Sequence, residues 1–190
     1  MTAHKPFNTS PLPVKLRVED YLLLDRSGAF DDYARTELIE GEVLYMNAQH
    51  RPHMYAKSEL AFRLRTVLAA QASALYVGTE ASVALSDQDL PEPDIVLTSE
   101  PRGEGPVPLA SVALLVEVAD TTQSFDLSRK AALYARHGVP EYWVVDLTAQ
   151  TIHQMWSPSG EAFVERRQIA FGERIAAVTI EGLVVESVGI

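Results

Sequence analysis

A carboxylate set inside an apolar strand is the first feature of this chain that calls for a chemical explanation. Glu117 interrupts SVALLVEVAD, an almost unbroken apolar run of strand length. Burying an ionised carboxylate there costs several kcal/mol, so Glu117 needs a cation, a metal ion or a proton beside it. A second carboxylate, Asp94, opens the segment PDIVLTS just after Pro91 and Pro93, which fix the approach of the chain and allow no helix there. If these two strands are neighbours, both carboxylates meet at one end of a sheet. Paired oxygen ligands, completed by water and phosphate, are what magnesium or manganese prefers. Lys130 follows on a helix whose spacing (Leu127, Ala131, Tyr134) runs over Asp126 to His137. That places it in the first turn, where the macrodipole disfavours a cation by a few tenths of a kcal/mol; a carboxylate pair or a substrate phosphate would hold it there. Each residue also has a plainer reading: Glu117 as a structural buried acid, Asp94 as a cap at a turn or strand start, and Lys130 as a solvated side chain beside Arg129.

The elements that must position these groups can be read from periodicity. Val18 to Leu24 begins a short helix capped near Arg17 to Asp20, and TELIEGEVLYM alternates around Gly41 as a tight hairpin does. From His50 the period becomes helical, with Ala56, Leu60, Leu64, Val67 and Leu68 on one face, and the helix should end near Ala72. Strands are expected at Ala74 to Gly78, Ala81 to Leu85 and Asp94 to Thr98, followed by a Pro- and Gly-rich loop from Pro101 to Pro108. SVALLVEVAD reads as a central strand buried on both faces, and EYWVVDL as another strand beyond the Gly138 helix stop. Thr151 to Trp156, Ala162 to Arg167 and Val178 to Val185 read as a closing meander. The expectation is an α/β domain with a mixed central β-sheet flanked by helices, spanning 18–190 after a flexible arm over 1–17.

With 190 residues the chain can bury one sizeable core. Its 16 Lys plus Arg against 26 Asp plus Glu give a net charge of −10, which repels a polyanion at long range. A nucleic-acid enzyme would need its cations clustered locally, a groove built by a dimer, or bound metal at the acidic site. Cysteine is absent, which excludes disulfides, thiolate zinc sites and a cysteine nucleophile. No stretch approaches the roughly 20 apolar residues of a membrane span, and the first residues lack the apolar core of a signal peptide, so a cytoplasmic location is expected. No serine sits in a nucleophile elbow, so a Ser-His-Asp hydrolase is a poor fit.

Taken together, TELIEGEVLYM, His53 near the start of a helix, EPDIVLT, LLVEVADTT and the string from Asp126 through Lys130 and Tyr134 to GVPEYWVVD resemble the Uma-two family of restriction endonuclease-like proteins. The resemblance spans most of the chain from about Val18. It implies a restriction-endonuclease-like fold of the superfamily named for its PD-(D/E)xK pattern, whose members cut phosphodiester bonds with one or two divalent metals. Pro93 and Asp94 match the PD, and Glu117 the second acid. The position two after Glu117 is Ala119 rather than lysine, and Lys130 matches a lysine relocated to the next helix. Glu37 matches the acid that commonly completes the metal site from an early element. His53, Glu40 and Arg129 are accessory candidates; His53 also shares a face with Ala56 and Leu60, as a partly buried, satisfied histidine would. The implied activity is magnesium- or manganese-dependent hydrolysis of DNA, with Lys130 stabilising developing charge or orienting the attacking water and so acting on rate rather than on folding; the strand-rich, aromatic-bearing tail and the charge of −10 lead to the expectation of a homodimer. Rival readings are a catalytically inactive interaction module on the same fold, or a phosphoesterase on small nucleotides.

Overall fold

The computed structural model describes residues 12–46 and 48–190. Its centre is a six-stranded mixed sheet made of β3 (Tyr76–Thr79), β5 (Ile95–Thr98), β7 (Val112–Ala119), β8 (Glu141–Asp146), β9 (Thr151–Ser159) and β10 (Ala162–Ala170), in the order β10-β9-β8-β7-β5-β3. Only β7 and β8 run parallel, because the chain between them crosses over through a helical segment; the other neighbours are antiparallel. The two most apolar runs, β7 and β8, take the inner positions, as strands covered on both faces must. Alternation along them feeds two cores. Leu114, Val116, Val118, Trp143 and Val145 meet Ala56, Leu60, Leu64 and Leu68 of α2 (Arg51–Ala70), whereas Leu115, Ala119, Tyr142 and Val144 meet Leu133 and Tyr134 of α4 (Ala131–Arg136). The expected mixed sheet flanked by helices is therefore the architecture observed.

Shorter elements frame this sheet. Helix α1 (Val18–Arg26) starts where the Arg17 N–H donates to Asp20, within the cap expected there. β1 (Thr36–Ile39) and β2 (Glu42–Tyr45) form the expected hairpin, its turn carried by positive φ at Glu40 and Gly41. A side chain at Gly41 would bring a Cβ within 2.7 Å of Lys15 Cβ, because the chain before α1 packs against this turn through a Leu16 N–H to Gly41 carbonyl bond. At the end of the arm expected over 1–17, Lys15 and Leu16 are bound to the hairpin, and 1–11 lie outside the described residues. The strand expected over Ala81 to Leu85 shrinks to β4 (Val83–Ala84), paired with β6 (Val107–Pro108) away from the main sheet. The segment Val178 to Val185 is mostly a turn closed by an Ala177 N–H to Leu183 carbonyl bond, and only β12 (Val184–Glu186) pairs, with β11 (Arg174–Ala176).

One difference bears on the site. The helical segment after β7 begins earlier than expected, as α3 (Gln123–Phe125), and passes through a π turn, Asp126–Lys130, before α4. Lys130 is therefore in the second turn, so the first-turn dipole penalty does not apply to it. No helix among the described residues is long and apolar enough to cross a membrane.

Candidate active site

The antiparallel register of β5 and β7 pairs Ile95 with Val116, and one residue beyond that pair stand Asp94 and Glu117. The two carboxylates thus meet at one end of the sheet, where both line a small polar pocket of about 70 Å³ together with Gln49, His53, Thr121 and Thr122. Arg35, Glu92 and Asp126 face the same space. Each acid is 4 % exposed, so neither is held by bulk water alone.

Asp94 is fixed by donors from two directions. Its Oδ2 accepts the Val118 N–H at 2.8 Å and lies 3.0 Å from His53 Nε2, while its Oδ1 accepts from Gln49 at 3.2 Å and has Lys57 Nζ at 3.7 Å. Burial works against its charge, but His53, the Val118 amide and Lys57 outweigh it, and the carboxyl stays below its ordinary range. Lys57 also donates to Gln49 and Glu80, both at 2.6 Å, which completes a chain of contacts along the first turns of α2.

Glu117 has a different environment. Its Oε1 accepts from Lys130 Nζ at 2.9 Å and from Tyr134 OH at 2.8 Å. Lys130, 1 % exposed, also lies 3.2 Å from Glu37 Oε2. Burial raises the pKa of Glu117 to about 8; Lys130 opposes this, and Asp126, Asp94 and Glu37 add to it. Burial likewise pushes Asp126 up to about 6, against the pull of Lys130. For Lys130 the surrounding carboxylates overcome burial and hold its proton firmly. Burial first, and the neighbouring carboxylates after it, make Glu117 and Asp126 bind protons more tightly than free acids do.

The expected trio of Asp94, Glu117 and Lys130 is gathered in one place, but its members face differently. Asp94 and Glu117 line the pocket, while Lys130 and Glu37 lie behind Glu117. Glu37 Oε1 is buried with no hydrogen-bond partner. His53, buried as expected, lines the pocket and contacts Asp94. Glu40 and Arg129 stand outside: Arg129 bridges Glu40 and Glu42 at 3.0 and 2.8 Å, and Arg136 takes Glu40 as well. Glu40, at the positive-φ hairpin tip, is held there by these cations. Sequence reasoning missed Gln49, Lys57, Asp126 and Tyr134. Spacing did carry a signal for three of them, since Lys57 lies four residues after His53, and Asp126 and Tyr134 flank Lys130 at four-residue intervals on one helix face.

Oxygen donors in a confined polar space suit a hard divalent cation, and Asp94 and Glu117 are the pair that could hold one. Among the described residues, no three His, Asp or Glu side chains are gathered closely enough to hold a metal by themselves, so water or substrate oxygens would fill the remaining positions.

This fold is also found in a solved structure described as "Crystal structure of a putative nuclease belonging to DUF820 from Anabaena variabilis ATCC 29413". It superposes with a TM-score of 0.64 at 17 % identity, over 85 % of this chain and 89 % of that one. No curated protein matches the chain. A family model described as "Uma2: Putative restriction endonuclease" matches residues 18–186, and the chain belongs to that family.

Proposed function

We propose that this protein is a divalent-metal-dependent nuclease that hydrolyses phosphodiester bonds in DNA, with magnesium or manganese held by Asp94 and Glu117. The observation that carries this reading is the meeting of those two carboxylates, from adjacent antiparallel strands, in one small polar pocket. When bound, the ion would polarise a phosphate oxygen and lower the pKa of a water molecule. The chain's own residues do the positioning. The Val118 amide and His53 set the Asp94 carboxylate, and Lys130 with Tyr134 sets that of Glu117. Lys130 is a positioning residue here, because it lies behind Glu117 and does not line the pocket. Glu37 shares Lys130 and keeps one oxygen unpaired, so it is the further carboxylate that would be at hand for such an ion behind Glu117.

A phosphoesterase acting on small nucleotides is the second reading. It is favoured by the cations beside the pocket, Arg35, Lys57 and Lys130, each of which already has an acidic partner.

Calorimetric titration with manganese tests the metal site directly. Binding is expected for the native chain, with a rise in melting temperature through linkage, and Asp94→Asn should abolish both. Undiminished binding in that variant, provided it stays folded by circular dichroism, would remove Asp94 from the site.

A further inference from the structure

We propose that the aromatic cleft next to the pocket, built around Tyr45 and Tyr33, seats an unpaired base of single-stranded nucleic acid beside the reacting phosphate. This deepens the nuclease reading and takes the class of occupant from it.

Tyr45 ends β2 and is 64 % exposed, and Tyr33 is 49 % exposed with its ring centroid 5.5 Å away. Two clefts meet at Tyr45. One, of about 190 Å³, is lined by Phe30, Tyr33, Thr36, Val43 and Tyr45. The other, of about 410 Å³, has Tyr45, Met46, Thr122 and Phe125 in its wall and is the size of an ordinary small-molecule site. Met46 and Thr122 also line the catalytic pocket, so the aromatic surface continues into it. Phe125 is held from behind by Lys130 Nζ, 5.9 Å from its ring, and by Arg129 at 6.0 Å.

The source of binding energy decides what fits here. Arg35, Lys57, Lys130 and Arg129, the cations that line or flank the pocket, are all engaged by carboxylates. A chain carrying −10 with its nearby cations paired gains little from phosphate charge. Stacking of bases on aromatic rings is the other general source of affinity for nucleic acid, and it tolerates any sequence. Bases in a duplex are already stacked on one another and would have to be flipped out first. An unpaired base offers both faces without that cost. The geometry therefore favours single strands, ends and flipped nucleotides over intact duplex.

The experiment is a fluorescence titration of a short single-stranded oligodeoxynucleotide carrying 2-aminopurine, with the native chain in chelator so that no cleavage occurs. The native chain should bind and quench the probe. Tyr45→Ala should weaken binding by roughly 10-fold or more, the scale of losing one stacked base. Tyr45→Phe, which keeps the ring, should bind within about 2-fold of native. The same strand annealed to its complement should bind more weakly, and the salt dependence should be shallower than that of a phosphate-gripping protein. Because Tyr45 is exposed, neither substitution should alter the melting temperature, so a folding defect would be visible as such. The proposal is overturned if the native chain does not quench the probe, if Tyr45→Ala binds like native, or if duplex binds as tightly as single strand. It is also overturned if Tyr45→Ala changes only the sedimentation coefficient, which would make this face a contact between copies. Quenching that depends on Tyr45 in a chain that never cleaves would uphold the cleft and refute the nuclease reading separately.

Discussion

At the scale of single residues, the site rests on how one ammonium group is shared among buried acids. Lys130 touches Glu117 and Glu37 and is 1 % exposed, so its removal strands carboxylates in a low-dielectric interior. Lys130→Met should cost about 3–5 kcal/mol in a urea melt, the scale of breaking a buried pair from one side. Adding Glu117→Gln should restore part of that loss, since it removes a buried acid left without its partner. A Lys130→Met variant as stable as native would show that the pair carries no structural load, as the sequence alone suggested. The same cluster sets a pH dependence. Glu117 and Asp126 have folded-state pKa values raised to about 8 and about 6, so the folded protein holds more protons than the unfolded chain. Their contribution to stability is complete below the unfolded values and is lost as pH rises through the folded ones. In chelator, the melting temperature should therefore fall between about pH 5.5 and about pH 8.5; a flat or rising profile would contradict the assignment. Asp94 has the opposite sign, and its stabilisation is lost only in acid. Asp94, Glu117 and Lys130 were legible because an acid in an apolar run, an acid after prolines and a lysine in a specific string stand out in one dimension. Gln49 was not, since its contact with Asp94 spans 45 positions and nothing local marks it.

At the scale of elements, the hairpin and the helical segment after β7 bring the rear wall of the site to the sheet. Glu37 lies on β1, whose turn depends on Gly41 accepting both a positive φ and the close approach of Lys15 and Leu16. Gly41→Ala should cost about 1–3 kcal/mol in a denaturant melt, through left-handed strain and a displaced chain before α1. Stability equal to native would mean that this contact yields without consequence. The two inner strands and α2 were readable because long apolar periods specify them. β4, β6, β11 and β12 were blurred because elements of two or three residues have no period to read. The start of the helix that carries Lys130 was misplaced for another reason. A π turn adds a residue to the repeat, so the pattern downstream of Asp126 gives no register for Gln123–Phe125.

At the scale of the whole molecule, a charge of −10 has to be reconciled with the phosphate-bearing substrate proposed for it. In the proposed reading the acids gathered at the pocket would supply a divalent ion's ligands, and the ion would in turn lower the local negative charge. We propose that the chain associates into a homodimer, as the sequence leads one to expect; sedimentation at micromolar concentration should report a dimer, and a clean monomer would refute it. Phe62, Val184 and Val188 leave an exposed apolar cleft between α2 and β12 where copies could meet.

The most direct test of the central claim is manganese-supported cleavage of plasmid and single-stranded DNA at low salt, with the native chain, Asp94→Asn and Glu117→Gln prepared identically. The native chain should cleave, and either substitution should lower the rate by roughly 100-fold or more while the fold is retained, because each would remove a ligand of the proposed ion. Equal residual activity in all three preparations would mark it as contamination and contradict catalysis at this pocket.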